Sequence, residues 1–228
     1  MRTLFPKKDR AELRAETKDG EVISAPYDVA EQMRFLMRRS ELLESHPAVV
    51  AITSAVSGEG VTYVANALAV TAANDTERRV CIVSLDWSKP APSTGGSIID
   101  VASGEAYLDD ALIPTDHDRL FVLPAGEIPL LERAGFARSA ELRQVVEEVS
   151  DGFDIVILDV PAVGESSDSL ALTGLADQTF VVVRQGGAPI EQIRLALDDL
   201  GRDRLGGVVL NDAAIKAPSW LVDPMVAS

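Results

Sequence analysis

Aromatic side chains, cysteine and long apolar runs are all scarce in this sequence of 228 residues. The aromatic fraction is 5%, so the core must consist mainly of aliphatic side chains, which the hydrophobic content of 46% supplies. The single cysteine, Cys81, excludes an intrachain disulfide and lies in an apolar run, where we expect a buried thiol in a reducing compartment. No run approaches the ~20 apolar residues of a membrane-spanning helix, and residues 1–8 lack the apolar segment of a secretory signal. We therefore expect a cytoplasmic protein.

Positive charge is also scarce, with 21 Lys and Arg residues against 36 Asp and Glu residues and a formal net charge of −15. Proteins that bind nucleic acid need a basic face for phosphate contacts, so we expect no nucleic-acid partner. The negative charge suits a solvated exterior or, as the alternative, a basic partner surface. The two histidines, His46 and His117, have no Cys or His companions at the spacing of a metal site.

From residue 48 onward, apolar runs alternate with amphipathic stretches. The apolar runs predict strands over 48–53, 80–85, 120–123, 155–160, 178–183 and 207–210. The stretches between them predict helices over 62–73, 107–112, 139–149 and 190–200. Several runs are unbroken Val, Ile and Leu, which is typical of parallel strands covered on both faces. The pattern predicts an α/β fold with a doubly wound, mostly parallel sheet and right-handed crossovers.

The predicted domain, residues 27–212, has a segment on each side. Residues 1–26 have mixed charge and weak apolar character, so we expect a flexible N-terminal arm. The domain begins with a predicted helix over 27–45, in which Asp28 is the expected N-cap. Residues 213–228 are too few for a domain and form a short C-terminal tail.

Residues 54–62, Ser-Ala-Val-Ser-Gly-Glu-Gly-Val-Thr, lie between a predicted strand and a predicted helix, which is the setting of a phosphate-binding loop. Gly58 and Gly60 allow successive backbone N–H groups to point at one anion, next to the positive N-terminus of the helix. Thr62 stands where such a loop places a Mg²⁺ ligand. The residues expected to contact a nucleotide are Ser57, Gly58, Glu59, Gly60, Val61 and Thr62.

The loop lacks the lysine that the pattern requires, because Val61 and Val56 stand at the two positions where related loops carry it. A charge-assisted hydrogen bond contributes roughly 1.5–3 kcal/mol, which is about 10- to 150-fold in affinity. Glu59 adds a negative charge nearby. We expect weak binding of ATP or ADP with Mg²⁺ at most and no required cofactor. The alternative is that the loop is only a tight turn between a strand and a helix.

Two aspartates follow predicted strands and are expected to reach the same crevice. Asp86 follows the apolar run 81–85, and Asp159 ends the run Ile-Val-Ile-Leu-Asp in the manner of a Walker B strand. The carboxyl ends of parallel strands meet at one edge of a sheet, where α/β proteins bind their ligands. Carboxylates there hold Mg²⁺ directly or through water, so the predicted metal ligands are Thr62, Asp86 and Asp159. Each aspartate alone is also common in proteins without such a site.

The first predicted helix carries a separate group of charged residues. Glu31 and Arg34 are i,i+3 neighbours on one face, and Arg38 follows one turn later. A solvated ion pair of this kind contributes only about 0.2–1 kcal/mol. The alternative is an interface helix, in which Glu31, Arg34 and Arg38 form an oligomer contact.

In this order and spacing, these elements resemble the bacterial tyrosine kinase (BY-kinase) family of capsule and exopolysaccharide synthesis, which is related to the MinD/ParA-type P-loop ATPases. The resemblance spans residues 27–211 and is closest in the segments 52–54, 58–60, 65–69, 159–161 and 207–211. It implies a P-loop domain that binds Mg·ATP and phosphorylates tyrosines in the C-terminal tails of neighbouring subunits. It also implies ring formation through a Glu-x-x-Arg-x-x-Arg helix and a transmembrane polysaccharide co-polymerase as the partner.

The sequence departs from the family pattern at each functional element. Val61 replaces the loop lysine, and Ser84 replaces the first of two acidic residues, of which Asp86 is the second. In the helix, Met37 replaces the second arginine, with an arginine one position later. The tail, residues 213–228, contains no tyrosine. We do not expect an active autokinase of this family to show all of these departures together.

The departures predict a catalytically impaired protein in which the catalytic aspartates of the family, Asp86 and Asp159, are vestigial. Its expected role is that of a scaffold or regulator at the cytoplasmic segment of the co-polymerase, as a homo-oligomer or together with an active kinase. One alternative is an active tyrosine autokinase or ATPase that takes its cation from Lys89, Arg184 or a neighbouring subunit. The other is a MinD/ParA-like positioning factor whose residues 2–10 contact the inner face of the plasma membrane.

Overall fold

The computed structural model describes residues 12–40, 42, 48–88, 95–166 and 168–213. The strands are β1 Glu12–Glu16, β2 Val22–Pro26, β3 Ala48–Ser54, β4 Val80–Ser84, β5 Ile113–Pro114, β6 Leu120–Leu123, β7 Ile155–Asp159, β8 Gln178–Arg184 and β9 Leu205–Asn211. The helices are α1 Tyr27–Arg39, α2 Val61–Asp75, α3 Ile98–Ser103, α4 Leu108–Ala111, α5 Leu130–Phe136, α6 Ala140–Gly152, α7 Ser169–Thr173 and α8 Ile190–Leu200. A 3-10 turn, Arg202–Arg204, precedes β9.

Seven strands form one sheet in the order β5-β6-β4-β7-β3-β8-β9, in which the edge strand β5 is antiparallel and the other described pairings are parallel. Both faces of the central strand β3 are buried. Val50 and Ile52 pack in a cluster with α1 and α2, whereas Val49 and Ala51 pack in a cluster with α3 and α6 on the other face. The predicted α/β fold with a doubly wound, mostly parallel sheet is confirmed, because helices cover both faces of apolar parallel strands.

The β1–β2 hairpin, which was not predicted from the sequence, covers helix α2. Nine of the 15 residues of this helix are buried, so apolar neighbours must cover it on more than the sheet side. The cover is α1 together with a hairpin of β1 and β2, whose Ala15, Ile23 and Ala25 are fully buried in the same cluster. The prediction of a flexible arm is therefore wrong for residues 12–26, while residues 1–11 lie outside the described part. An isolated hairpin is only marginally stable, and this one depends on packing against α2.

The first helix is shorter than predicted. It ends at Arg39, where the backbone N–H and the hydroxyl of Ser40 both donate to the Leu36 carbonyl. Its N-cap is Pro26 rather than Asp28, which lies in the first turn and makes no capping hydrogen bond. Leu42, beyond the end of the helix, is 3% exposed and packs in the same cluster as Met33 and Met37 of α1.

The thiol of Cys81 is fully buried and free, as expected, and burial raises its pKa above the ordinary range. Within the described ranges, no helix combines the length and apolar character that a bilayer crossing requires. The sheet brings the carboxyl ends of β3, β4 and β7 together at one edge, because these strands are parallel neighbours. That edge holds the glycine loop, Asp86 and Asp159.

Candidate functional site

The loop between β3 and α2 has the backbone shape that an anion site needs. Gly58 and Gly60 have φ angles of 81° and 94°, in the left-handed region that favours glycine. A Cβ on Gly60 would also overlap with Nδ2 of Asn211, whose amide donates to the Glu59 carbonyl at 2.8 Å. Helix α2 follows directly and has no side-chain cap at its N-terminus. Its first N–H groups are therefore left to other acceptors.

A cavity of about 750 Å³ lies over this loop. Most of the predicted site residues line it: Ser57, Gly58, Gly60, Val61, Thr62, Asp86 and Asp159. Its volume is within the range of small-molecule sites. These residues lie at the ends of three strands, β3, β4 and β7. The fold therefore brings together side chains that are far apart in the sequence.

Two of the three predicted metal ligands are in direct contact. The hydroxyl of Thr62 donates to Oδ2 of Asp159 at 2.8 Å, and Asp159 is only 5% exposed. The third, Asp86, accepts hydrogen bonds from the backbone N–H of Ser88, at 3.0 Å, and from its hydroxyl. A hydroxyl and two carboxylates are oxygen donors of the kind that Mg²⁺ takes together with phosphate oxygens and water. In the described part of the chain, no group of three or more acidic, His or Cys side chains is placed to hold a metal by itself.

The side chain of Glu59 points away from the cavity. It is 2% exposed, and its carboxylate accepts hydrogen bonds from the backbone N–H groups of Arg184 and Ala188, the latter at 3.0 Å. The expectation that Glu59 places negative charge beside the ligand is therefore corrected. The carboxylate instead fastens the glycine loop to the turn between β8 and α8, because a buried charge needs donors of this kind.

A different carboxylate reaches the loop. Oε1 of Glu165 accepts a hydrogen bond from the backbone N–H of Ser57 at 2.9 Å. Glu165 stands 108 positions later in the chain, and no motif of the sequence marks it. It occupies one of the N–H groups that the loop offers to an anion.

The cavity also contains one cation that sequence reasoning missed. Arg133, on α5, lines it, and no other Lys or Arg does so within the described ranges. Its Nη2 donates to the Trp87 carbonyl at 2.8 Å, and its Nε donates to the Ile128 carbonyl at 3.3 Å. Of the substitutes named from the sequence, Arg184 lies outside the lining and pairs with Asp212 at 3.0 Å, and Lys89 is not among the described residues.

The charged group on α1 is held within the chain. Arg34 donates from Nη2 to Oδ1 of Asp75, at the end of α2, at 3.0 Å, and it also pairs with Glu31. The Arg34 guanidinium lowers the pKa of the Asp75 carboxyl, since it stabilises the charged form. Arg38 lies over the ring of Phe35, with its guanidinium carbon 5.7 Å from the ring centroid. A contact of Glu31, Arg34 and Arg38 with a second subunit remains a prediction.

No family model matches the chain. It is 28% identical over 175 residues to the "Tyrosine-protein kinase CpsD" of Streptococcus agalactiae, which covers 72% of this chain and 74% of that protein. It is 29% identical over 183 residues to the "Succinoglycan biosynthesis transport protein ExoP" of Rhizobium meliloti, which covers 75% of this chain and 23% of that protein.

Among solved structures, the kinase domain of the Escherichia coli tyrosine kinase ETK superposes with a TM-score of 0.73 at 20% identity, over 83% of this chain and 78% of that chain. The MinD protein of Pyrococcus horikoshii, complexed with Mg-ADP, superposes with a TM-score of 0.58 at 20% identity, over 72% of this chain and 68% of that chain. At these identities, the superpositions establish the fold alone.

Proposed function

We propose that this chain, a relative of bacterial tyrosine-protein kinases of capsule and exopolysaccharide systems, is impaired in phosphotransfer and acts as a scaffold or regulator. The observation that carries the proposal is Val61, the first residue of α2, at the position where the loop pattern places lysine. Its side chain is partly buried against the core and offers no charge to a phosphate. Phosphoryl transfer depends on such charges, because catalysis there is mainly positioning and electrostatic stabilisation.

The charge balance of the cavity supports the same proposal. Among the described residues, four carboxylates line it, those of Asp86, Asp159, Glu165 and Asp168, against one cation, Arg133. The loop N–H of Ser57 already has a carboxylate acceptor. A triphosphate entering this cavity would meet more negative than positive side chains. The oxygen atoms of Thr62, Asp86 and Asp159 would hold Mg²⁺. The metal ion would then neutralise part of the charge on the phosphate oxygens.

The proposed partner is the cytoplasmic segment of a membrane polysaccharide co-polymerase. The support comes from the relatives, one of which is named as a biosynthesis transport protein and matches this chain over 23% of its own length. A chain of this kind is proposed to work at the inner face of the plasma membrane, as a homo-oligomer or with an active kinase. The acidic surface of the chain, with a net charge of −15, suits a basic partner segment.

The test is a calorimetric titration of the unmodified chain with ATP and Mg²⁺, combined with a measurement of phosphate transfer from labelled ATP. The expected result is weak or undetectable ATP binding and background transfer. Micromolar ATP binding together with transfer above background would overturn the proposal. A second titration measures binding of the co-polymerase's cytoplasmic segment with and without ATP. We expect a regulator to bind this segment in both cases.

The alternative of an active enzyme with a substitute cation has one observation in its favour, the presence of Arg133 in the cavity. Hydrolysis of ATP by the unmodified chain, measured as a function of protein concentration, tests it. A rate that stays at background excludes this alternative. The other alternative from the sequence, a MinD/ParA-like positioning factor, depends on residues 2–10, which lie outside the described part. Sedimentation with anionic liposomes tests it.

A further inference from the structure

We infer that Arg133 supplies the countercharge that Val61 cannot, so that a nucleoside diphosphate or triphosphate binds between the glycine loop and helix α5. The inference rests on the premise of the proposed function that the loop is a phosphate site. It does not require that the bound nucleotide be turned over. It assigns a binding role to a residue that no sequence motif marks.

The first support is the way in which the guanidinium is held. Two backbone carbonyls, those of Trp87 and Ile128, accept hydrogen bonds from Nη2 and Nε of Arg133, at 2.8 and 3.3 Å. Trp87 is 3% exposed and packs edge-on against Phe136, which lies on α5 with Arg133. The centroids of the two rings are 5.5 Å apart. The turn after β4 and helix α5 are thus joined, and a guanidinium fixed in this way loses little conformational freedom when a ligand binds.

The second support is what Arg133 leaves unused. Nη1 has no hydrogen-bond partner among the described residues, and no described carboxylate pairs with the side chain. By contrast, Arg34 and Arg184 pair with Asp75 and Asp212. Because Arg133 lines the cavity, its remaining N–H donors are available to a ligand there. Guanidinium groups bind phosphate oxygens with two parallel hydrogen bonds, which makes phosphate the matching chemistry.

The third support is the selectivity that the surrounding charges impose. Because the carboxylates of Asp86, Asp159, Glu165 and Asp168 line the cavity, we expect it to favour an anion only where the loop N–H groups and Arg133 act together. A ligand must therefore reach from the loop to α5. A cavity of about 750 Å³ has room for a nucleotide in that position.

The experiment compares ADP with adenosine, by calorimetry on the full chain. Arg133→Gln removes the charge and keeps a polar side chain with one amide NH₂ donor. We expect ADP affinity to fall by about 10- to 150-fold, the effect of losing a charge-assisted hydrogen bond. Adenosine affinity should stay the same, and the ADP affinity of the unmodified chain should decrease with salt more steeply than that of the variant.

Arg138→Gln is the matched control. It makes the same charge change five positions later, at a side chain whose Nη1 donates to the Ala134 carbonyl at 2.7 Å and which lies outside the cavity lining. This variant should bind ADP as the unmodified chain does. Arg133→Lys keeps the charge without the forked geometry, so its loss should be smaller than that of Arg133→Gln.

Three results would overturn the inference. The first is unchanged ADP affinity in Arg133→Gln, which would leave the proposed function standing if phosphate transfer is also absent. The second is an equal loss of ADP and adenosine binding in the Gln and Lys variants, which would indicate a structural role. The third is the absence of ADP binding by the unmodified chain at millimolar concentration. Phosphate transfer that depends on Arg133 would instead support the inference and overturn the proposed impairment.

Discussion

The carboxylate of Glu59 accepts a hydrogen bond from the backbone N–H of Ala188, with 3.0 Å between Oε1 and N. The same carboxylate accepts from the N–H of Arg184, and a Cβ on Gly187 would overlap with it. The glycine loop is thus fastened to the turn before α8 by a buried charge. The loop shape is therefore maintained by contacts that are independent of phosphate.

Replacement of Glu59 should destabilise the fold. Glu59→Ala leaves the backbone N–H groups of Arg184 and Ala188 without their charged acceptor, so we expect the free energy of unfolding to fall by about 1.5–3 kcal/mol. Glu59→Gln keeps one acceptor oxygen and should have a smaller effect. Urea denaturation measures both, with Glu148→Ala as the control, since Glu148 is exposed on α6. A loss of unfolding free energy in Glu59→Ala that is no larger than in the control would show that the hydrogen bonds of Glu59 do not stabilise the fold.

Restoring the loop lysine should restore affinity but little catalysis. Val61→Lys places a cation at the start of α2, and we expect ATP affinity to rise by about 10- to 150-fold. Phosphate transfer should stay near background, because Ser84 still stands at the first acidic position of β4. Calorimetry and transfer from labelled ATP measure the two effects. Val61→Met controls for the larger side chain, and an unchanged affinity in Val61→Lys would mean that the loop cannot direct a lysine to phosphate.

Glu165 should compete with anionic ligands for the loop. Glu165→Gln removes the charge that Ser57 N–H now binds at 2.9 Å, so the affinity for ADP and for inorganic phosphate should increase by roughly 2- to 10-fold, within the range of single hydrogen bonds. Glu105→Gln makes the same change at an exposed position outside the cavity lining. Equal effects of the two variants would show that only net charge matters.

The contact between Arg34 and Asp75 should make stability depend on pH. Because Arg34 lowers the pKa of Asp75 below its ordinary value of 3.8, the carboxylate contributes stability above that value and loses it as pH falls through the lower folded-state pKa. At pH 7, Asp75→Asn should lower the free energy of unfolding by about 1 kcal/mol, a modest value since both side chains are partly exposed.

At pH 3 the difference between Asp75→Asn and the unmodified chain should be smaller than at pH 7. Urea denaturation at the two pH values measures this difference, with Asp118→Asn, at an exposed position, as the control. A difference that is the same at both pH values would contradict the assignment. Sedimentation velocity of the same variants, together with Arg38→Gln, tests whether α1 also forms a subunit contact.

Sequence reasoning reached the parts of the site that local patterns encode. The run before Ser54 and the helix after Gly60 predicted the loop, and the apolar run before Asp159 predicted its strand. Even the contact between Thr62 and Asp159, 97 positions apart, follows from the rule that parallel strands end at one edge. The β1–β2 hairpin was missed, because its few apolar side chains form a core only together with α2.

The sequence by itself determined the main alternation of strands and helices from residue 48 onward, the glycine loop and the absence of lysine at Val61, since each depends on residues that are neighbours in the chain. Only the tertiary structure decided which charges face the loop. It turned Glu59 away into the β8–α8 turn, and it brought Glu165 and Arg133 to the cavity from distant segments. The physical reason is that electrostatic interactions depend on the distance between charges and on their burial. Both are set by tertiary packing and not by spacing along the sequence.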